Sequence, residues 1–164
     1  MYEHPNSDRQ IGEKKMNTKA KSPKIFEDLK VNVKIKLSAL WVTLILLYIY
    51  ADILGFYTPG TIKKVVSGEI GGIQITEGFL FVMAIWMAIP SVMVFLSLTL
   101  KANANRWVNI IVGIISIVVL GATFFVGEFS ARYTFQAIVE GVLIALILWY
   151  AWKWPKQQSE EITK

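Results

Sequence analysis

Four apolar runs, Leu37–Tyr57, Phe79–Leu100, Trp107–Gly127 and Tyr133–Trp152, constrain this chain more than any other feature. Each has about 20 residues and reaches roughly 30 Å as a helix, the thickness of bilayer hydrocarbon. Backbone amides in lipid must bond within the protein, so runs of this kind are read as transmembrane helices. A soluble bundle would need a polar face along each helix, and these runs lack one. Composition agrees: 54% of the 164 residues are hydrophobic and 18% charged, against roughly 25% charged in soluble domains.

The connections Lys101–Arg106 and Glu128–Arg132 are short, which makes sequential helices antiparallel neighbours. The predicted fold is therefore all-α: an integral membrane protein built as an antiparallel up-down-up-down four-helix transmembrane bundle. Orientation follows from the basic residues. Nine of the 17 lysines and arginines precede Leu37; Lys101, Arg106, Lys153, Lys156 and Lys164 share that side. Only Lys63, Lys64 and Arg132 lie on the other. Cytoplasmic loops hold the Lys/Arg excess, so both termini are expected in the cytoplasm. Trp107, Trp149, Trp152 and Trp154 mark the inner boundary, with Tyr57 and Tyr133 at the outer one. The net charge of +5 is thus read as topology and attraction to anionic lipid at the inner leaflet, not as nucleic-acid binding.

Outside the spans, residues 1–21 are polar and lysine-rich and are expected to be disordered. Residues 22–36 open on Ser22-Pro23 and carry Ile25, Phe26, Leu29 and Val33 at helical spacing, which suits either an interfacial amphipathic helix or a solvated linker. Residues 37–155 form the transmembrane domain and 156–164 a polar tail. The first span has a basic region of 36 residues before it and no small-residue cleavage site after it, so it is read as uncleaved. The one long connection, Thr58–Glu77, offers two helical turns over Thr61–Ser67, a stop at Gly68, and a strand-like alternation after Gly71-Gly72.

Small and polar residues inside the spans fall on stripes with alternating steps of three and four, the seam of a left-handed bundle. The stripes are Ser38, Trp41, Ile45, Tyr48, Asp52 and Gly55; Glu77, Phe81, Ala84, Ala88 and Ser91; Asn109, Gly113, Ser116, Leu120, Thr123 and Gly127; and Tyr133, Gln136, Glu140 and Ile147. All four are expected to face inward, with Pro90 kinking the second span and Trp86 packing.

Two intramembrane acids carry most of the functional information. Asp52 and Glu140 lie at comparable depth in the outer half, on helices that neighbour each other in an up-down bundle. Tyr48 and Gln136 lie one turn from them on the same faces. An ionised acid opposes insertion there, so at least one of the two is expected to carry a proton at neutral pH. The candidate ligand or ion site is Tyr48, Asp52, Gln136 and Glu140, edged by Glu77, Glu128, Arg132 and Tyr133. The plainer reading is that these groups hydrogen-bond one another and hold helices together. The inner half is expected to offer almost no polar groups.

The chain has no cysteine, and its single histidine, His4, sits in the polar head. Thiolate and histidine metal sites, iron–sulfur clusters and bis-histidine haem are therefore excluded. No activated nucleophile or phosphate loop is present. No cofactor, no metal and no enzymatic activity are expected. The function that remains is a membrane protein whose outer carboxyl cluster binds a small polar ligand, a lipid headgroup or a proton. The rival is a proton- or cation-coupled transporter or channel protomer; four helices seldom enclose such a path, so this rival requires a homo-oligomer.

The stretches KIKLSALWVTLILLYIYADILGFYTPG (34–60), GGIQITEGF (71–79), AIPSVMVFLSLTLK (88–101), NRWVNIIVGI (105–114) and AIVEGVLIALILWYAWKWP (137–155) together resemble a family of small bacterial four-span membrane proteins known only as a domain of unknown function. YADILGFYTPG is the most specific of these. The resemblance covers Lys34–Pro155 and leaves residues 1–33 outside. It implies a four-span topology in a bacterial inner membrane and no assigned activity, cofactor or site residue.

Overall fold

The computed structural model describes residues 30–70, 72–123 and 130–155. The chain divides into Met1–Lys30 and Val31–Lys164, and the elements below belong to the second unit. The disordered head expected over 1–21, most of the expected interfacial helix and the tail 156–164 lie outside the described residues, as do Gly127 and Glu128.

Four helices of 22 to 24 residues make up the fold: α1 (Val33–Phe56), α3 (Glu77–Thr99), α4 (Ala102–Thr123) and α5 (Ala131–Trp152). All four are long and apolar enough to cross a membrane. Three begin with a side chain that takes an otherwise unpaired backbone N–H. Asn32 accepts from Lys34, Thr76 from Phe79 and Ser130 from Tyr133. The Asn32 cap starts α1 at Val33, so Val33–Lys36 belong to the first span rather than to a separate surface helix. Helix α4 likewise begins five residues earlier than the apolar run. The expected connection Lys101–Arg106 shrinks to Leu100 and Lys101, and Asn105 and Arg106 become helical.

Helix α1 packs on α3 and α5, and α4 packs on α5; α3 and α4 touch more sparsely. Neighbouring helices run in opposite directions. Lys34 and Ser38 on α1 bond to Leu100 and Val94 at the end of α3. Against α5, Lys36 lies over Tyr150 while Tyr48 meets Glu140. One end of the bundle therefore gathers Lys34, Lys36, Arg106 and Lys153 and is called the basic end. The other carries the α1–α3 connection and is called the hairpin end.

Leu37, Trp41 and Leu44 of α1 meet Met93 of α3 and Ile144 and Ile147 of α5 in a fully buried cluster. The rest of the apolar surface points outward: Phe81 and Phe135 are each 68% exposed. Such a belt of exposed large apolar side chains is stable only where lipid covers it.

Three of the four expected seams face inward. On α4, Asn109, Gly113 and Ser116 are buried and Leu120 half-buried, although Thr123 is exposed. Gly113 is required by packing, because a Cβ there would lie 2.8 Å from the Leu148 side chain. The α3 stripe is corrected. Glu77, Phe81, Ala84, Ala88 and Ser91 are all exposed, and the inward face runs instead through Phe79, Trp86, Pro90, Met93 and Ser97. The Ser91 hydroxyl bonds to Met87 one turn back on its own helix, so it needs no neighbour. Trp86 is half-buried on the packing face, as expected.

The α1–α3 connection folds as anticipated. Helix α2 spans Thr61–Val66 and stops at Gly68, whose φ of 81° is a left-handed conformation that glycine adopts without steric cost. Strands β1 (Glu69–Ile70) and β2 (Ile73–Gln74) then pair as a minimal hairpin, with Glu69 opposite Gln74. Gly72 turns the chain between them at φ 82°.

Candidate functional site

The α1–α5 interface near the hairpin end carries five of the expected residues. Tyr48 and Asp52 are one turn apart on α1; Arg132, Gln136 and Glu140 follow at single-turn steps on α5. The Tyr48 hydroxyl donates to Glu140 Oε1 at 2.7 Å, the shortest route between the two helices' polar faces. Arg132 Nη1 donates to Gln136 Oε1 at 3.0 Å and to the Ala51 carbonyl at 3.4 Å, a second link between α5 and α1. Asp52 follows Ala51 directly on α1, exposed and without a hydrogen bond to any described residue.

Of the remaining three expected residues, only Glu77 is seen to lie apart from this group. Tyr133 is half-buried in the first turn of α5, where its backbone N–H is held by Ser130. Glu77 is exposed in the first turn of α3 and shares no hydrogen bond with the cleft. Glu128 lies outside the described residues.

The chemistry of the cleft is acceptor-rich. An ionised carboxylate offers about four acceptor positions, and Tyr48 uses one of those on Glu140. Asp52 uses none within the described protein. Arg132 bonds to an amide and a carbonyl and not to either acid. Among the described residues no three His, Cys, Asp or Glu side chains gather as metal ligands.

A second polar group, at the basic end, overturns the expectation that this half of the bundle offers almost none. Asn105, Asn109 and Ser97 are fully buried and Ser38 nearly so. Trp41 Nε1 donates to Asn109 Oδ1 at 2.7 Å, and the Ser97 hydroxyl reaches the same oxygen at 3.4 Å. Asn109 Nδ2 donates to the Asn105 carbonyl and to Asn105 Oδ1 at 2.9 and 2.7 Å, while Asn105 Nδ2 bonds to the Ser97 carbonyl. One asparagine thereby ties α1, α3 and α4. The signal was present as two asparagines four residues apart. Asn105 was hidden because charged Lys101 and Arg106 made its segment read as a loop.

Four helices long and apolar enough to cross a membrane, joined at the α1–α5 interface by polar side chains, mark a membrane protein. The chain belongs to DUF6326, a family of unknown function, whose model matches residues 23–161. The match starts earlier than the resemblance read from the sequence, so residues 23–33 are part of the family's common region. No curated protein matches the chain, and no solved structure matches it.

Proposed function

We propose that this protein is a non-enzymatic membrane protein that binds a small polar ligand carrying hydrogen-bond donors, such as an amine or a hydrated cation, between α1 and α5. The observation that carries this reading is the Tyr48–Glu140 hydrogen bond beside Asp52, which is exposed and bonds to no described residue. Helix-joining polar groups are expected to satisfy one another. Here one acid is aligned by a tyrosine and the other is left for something else. The excess of lysine and arginine at the basic end supports a cytoplasmic location for that end, in a bacterial inner membrane.

Native mass spectrometry of the protein released from mild detergent, beside an Asp52→Asn, Glu140→Gln double variant, tests the reading. Both substitutions keep hydrogen-bonding capacity and remove the charge. A defined small adduct on the wild-type chain, absent from a folded double variant, is the expected result. Identical adduct-free spectra, with the wild type left unshifted by added amines and cations, would leave the acids as helix-joining groups only.

A further inference from the structure

A groove of about 420 Å³ opens on the outside of the α4–α5 pair, between Ile110, Ile114 and Ile117 on one helix and Leu148, Trp149 and Trp152 on the other. Ala145 completes the wall. The lining is apolar from end to end, yet the groove mouth at the basic end is cationic. Arg106 lies 5.7 Å from the Trp152 ring and 5.8 Å from that of Trp107. Lys153 Nζ sits 3.9 Å over the Trp149 ring. Both indoles that line the groove are therefore each faced by a positive charge.

Arg106 is also unsatisfied among the described residues. Its Nε is buried without a hydrogen-bond partner, and the guanidinium donates to no described residue. A buried guanidinium donor left unpaired is costly, and phosphate is the group its fork geometry fits best. The dimensions select what carries that phosphate. From Arg106 to Ile117 is eleven residues of helix, about 16 Å, or roughly half the hydrocarbon thickness of a bilayer. An apolar trough one leaflet deep, with cations at its rim and none along its length, has the shape of one phospholipid.

We infer that the α4–α5 groove holds an acyl chain of an anionic phospholipid whose phosphate is received by Arg106, with Lys153 adding charge at the rim. Gly113 shapes this site indirectly. By leaving room for Leu148 it lets the two helices close behind the groove. The site does not use Tyr48, Asp52 or Glu140, so it stands or falls apart from the ligand reading above.

The test is native mass spectrometry of the full chain with phosphatidylglycerol and phosphatidylcholine of identical acyl chains in competition. One retained phosphatidylglycerol is expected, favoured about fivefold over phosphatidylcholine, the contribution of one cation at an anionic surface. Arg106→Gln should lower the ratio severalfold toward one, Lys153 keeping the remainder, and Arg106→Lys should restore part of the loss. Ala145→Phe, which fills the groove and leaves Arg106 in place, should remove the lipid altogether. The Asp52→Asn, Glu140→Gln double variant should keep it. Glycerophosphoglycerol, the headgroup without chains, should not compete. Equal retention of both lipids by the wild type overturns the inference, as does full competition by the chainless headgroup or a lipid-free dimer in which a second copy covers the groove. If a variant fails to fold, the two-lipid competition and the chainless headgroup on the unaltered chain still decide the matter.

Discussion

The two polar regions of the bundle differ both in their side chains, neutral at the basic end and ionisable at the hairpin end, and in how completely they are paired. At the basic end, Asn109 alone takes part in four side-chain hydrogen bonds, and every member of its group is buried. At the hairpin end, Tyr48 and Glu140 share one bond, both are half-buried, and Asp52 one turn away has none among the described residues. In lipid there is little hydrophobic reason for one helix to prefer another, so interhelical hydrogen bonds and close packing set which faces meet. The closed group does that work. Its members are buried, so a ligand does not reach the acceptor positions they leave over. The open pair contributes little to register, and what it retains is unused acceptor capacity. A polar residue inside a membrane protein is thus informative about function mainly when its hydrogen bonds do not add up.

That contrast is most exposed at Asn109. Asn109→Ala strips Trp41 Nε1 and the Ser97 hydroxyl of their shared acceptor at once, and it removes the donor to Asn105. The expected loss is about 2–3 kcal/mol of bundle stability, measured by reversible unfolding in mixed micelles of mild and denaturing detergent. A loss no larger than that of an exposed-site substitution would erase the distinction between the regions. Trp41→Phe removes one bond and keeps most of the ring volume. It should cost about 1 kcal/mol in the same measurement, and the Asn109→Ala and Trp41→Phe losses should fall short of additivity because they share that bond.

The sequence made the spans plain because lipid imposes a crude rule on length and polarity. Its boundaries failed where a cap or a charge interfered. Asn32 extends α1 to Val33, and helical Lys101-side residues turned an expected connection into the first turn of α4. Which residues face inward was legible where polar groups repeat, as in Asn109, Gly113 and Ser116. It was misleading on α3, where the small residues line the outside and Pro90 and Met93 line the inside. A serine that satisfies itself on its own helix leaves the same trace in sequence as one that reaches a neighbour. That α1 and α5 would meet through polar residues could be anticipated from their neighbouring positions, but Glu140 meets Tyr48, one turn along α1 from Asp52, instead of Asp52 itself. The bond from Tyr48 to Glu140 could not be anticipated, since spacing fixes a level and a face but not which of two acids a hydroxyl will choose.

The smallest effects belong to the open pair and sharpen the contrast from the other side. Tyr48→Phe deletes the bond to Glu140 and should cost about 0.6 kcal/mol, the average for a hydrogen bond between membrane helices. Asp52→Asn deletes nothing that any described residue uses, so stability should stay within about 0.5 kcal/mol of the wild type. The pair then separates on binding. If Asp52 contacts the ligand, its asparagine variant abolishes the adduct while the fold is untouched, whereas Tyr48→Phe weakens the adduct and the fold together. A clear loss of stability from Asp52→Asn would mean that the carboxylate already has a structural partner, and the cleft would join the basic end as a place where polar groups only hold helices together.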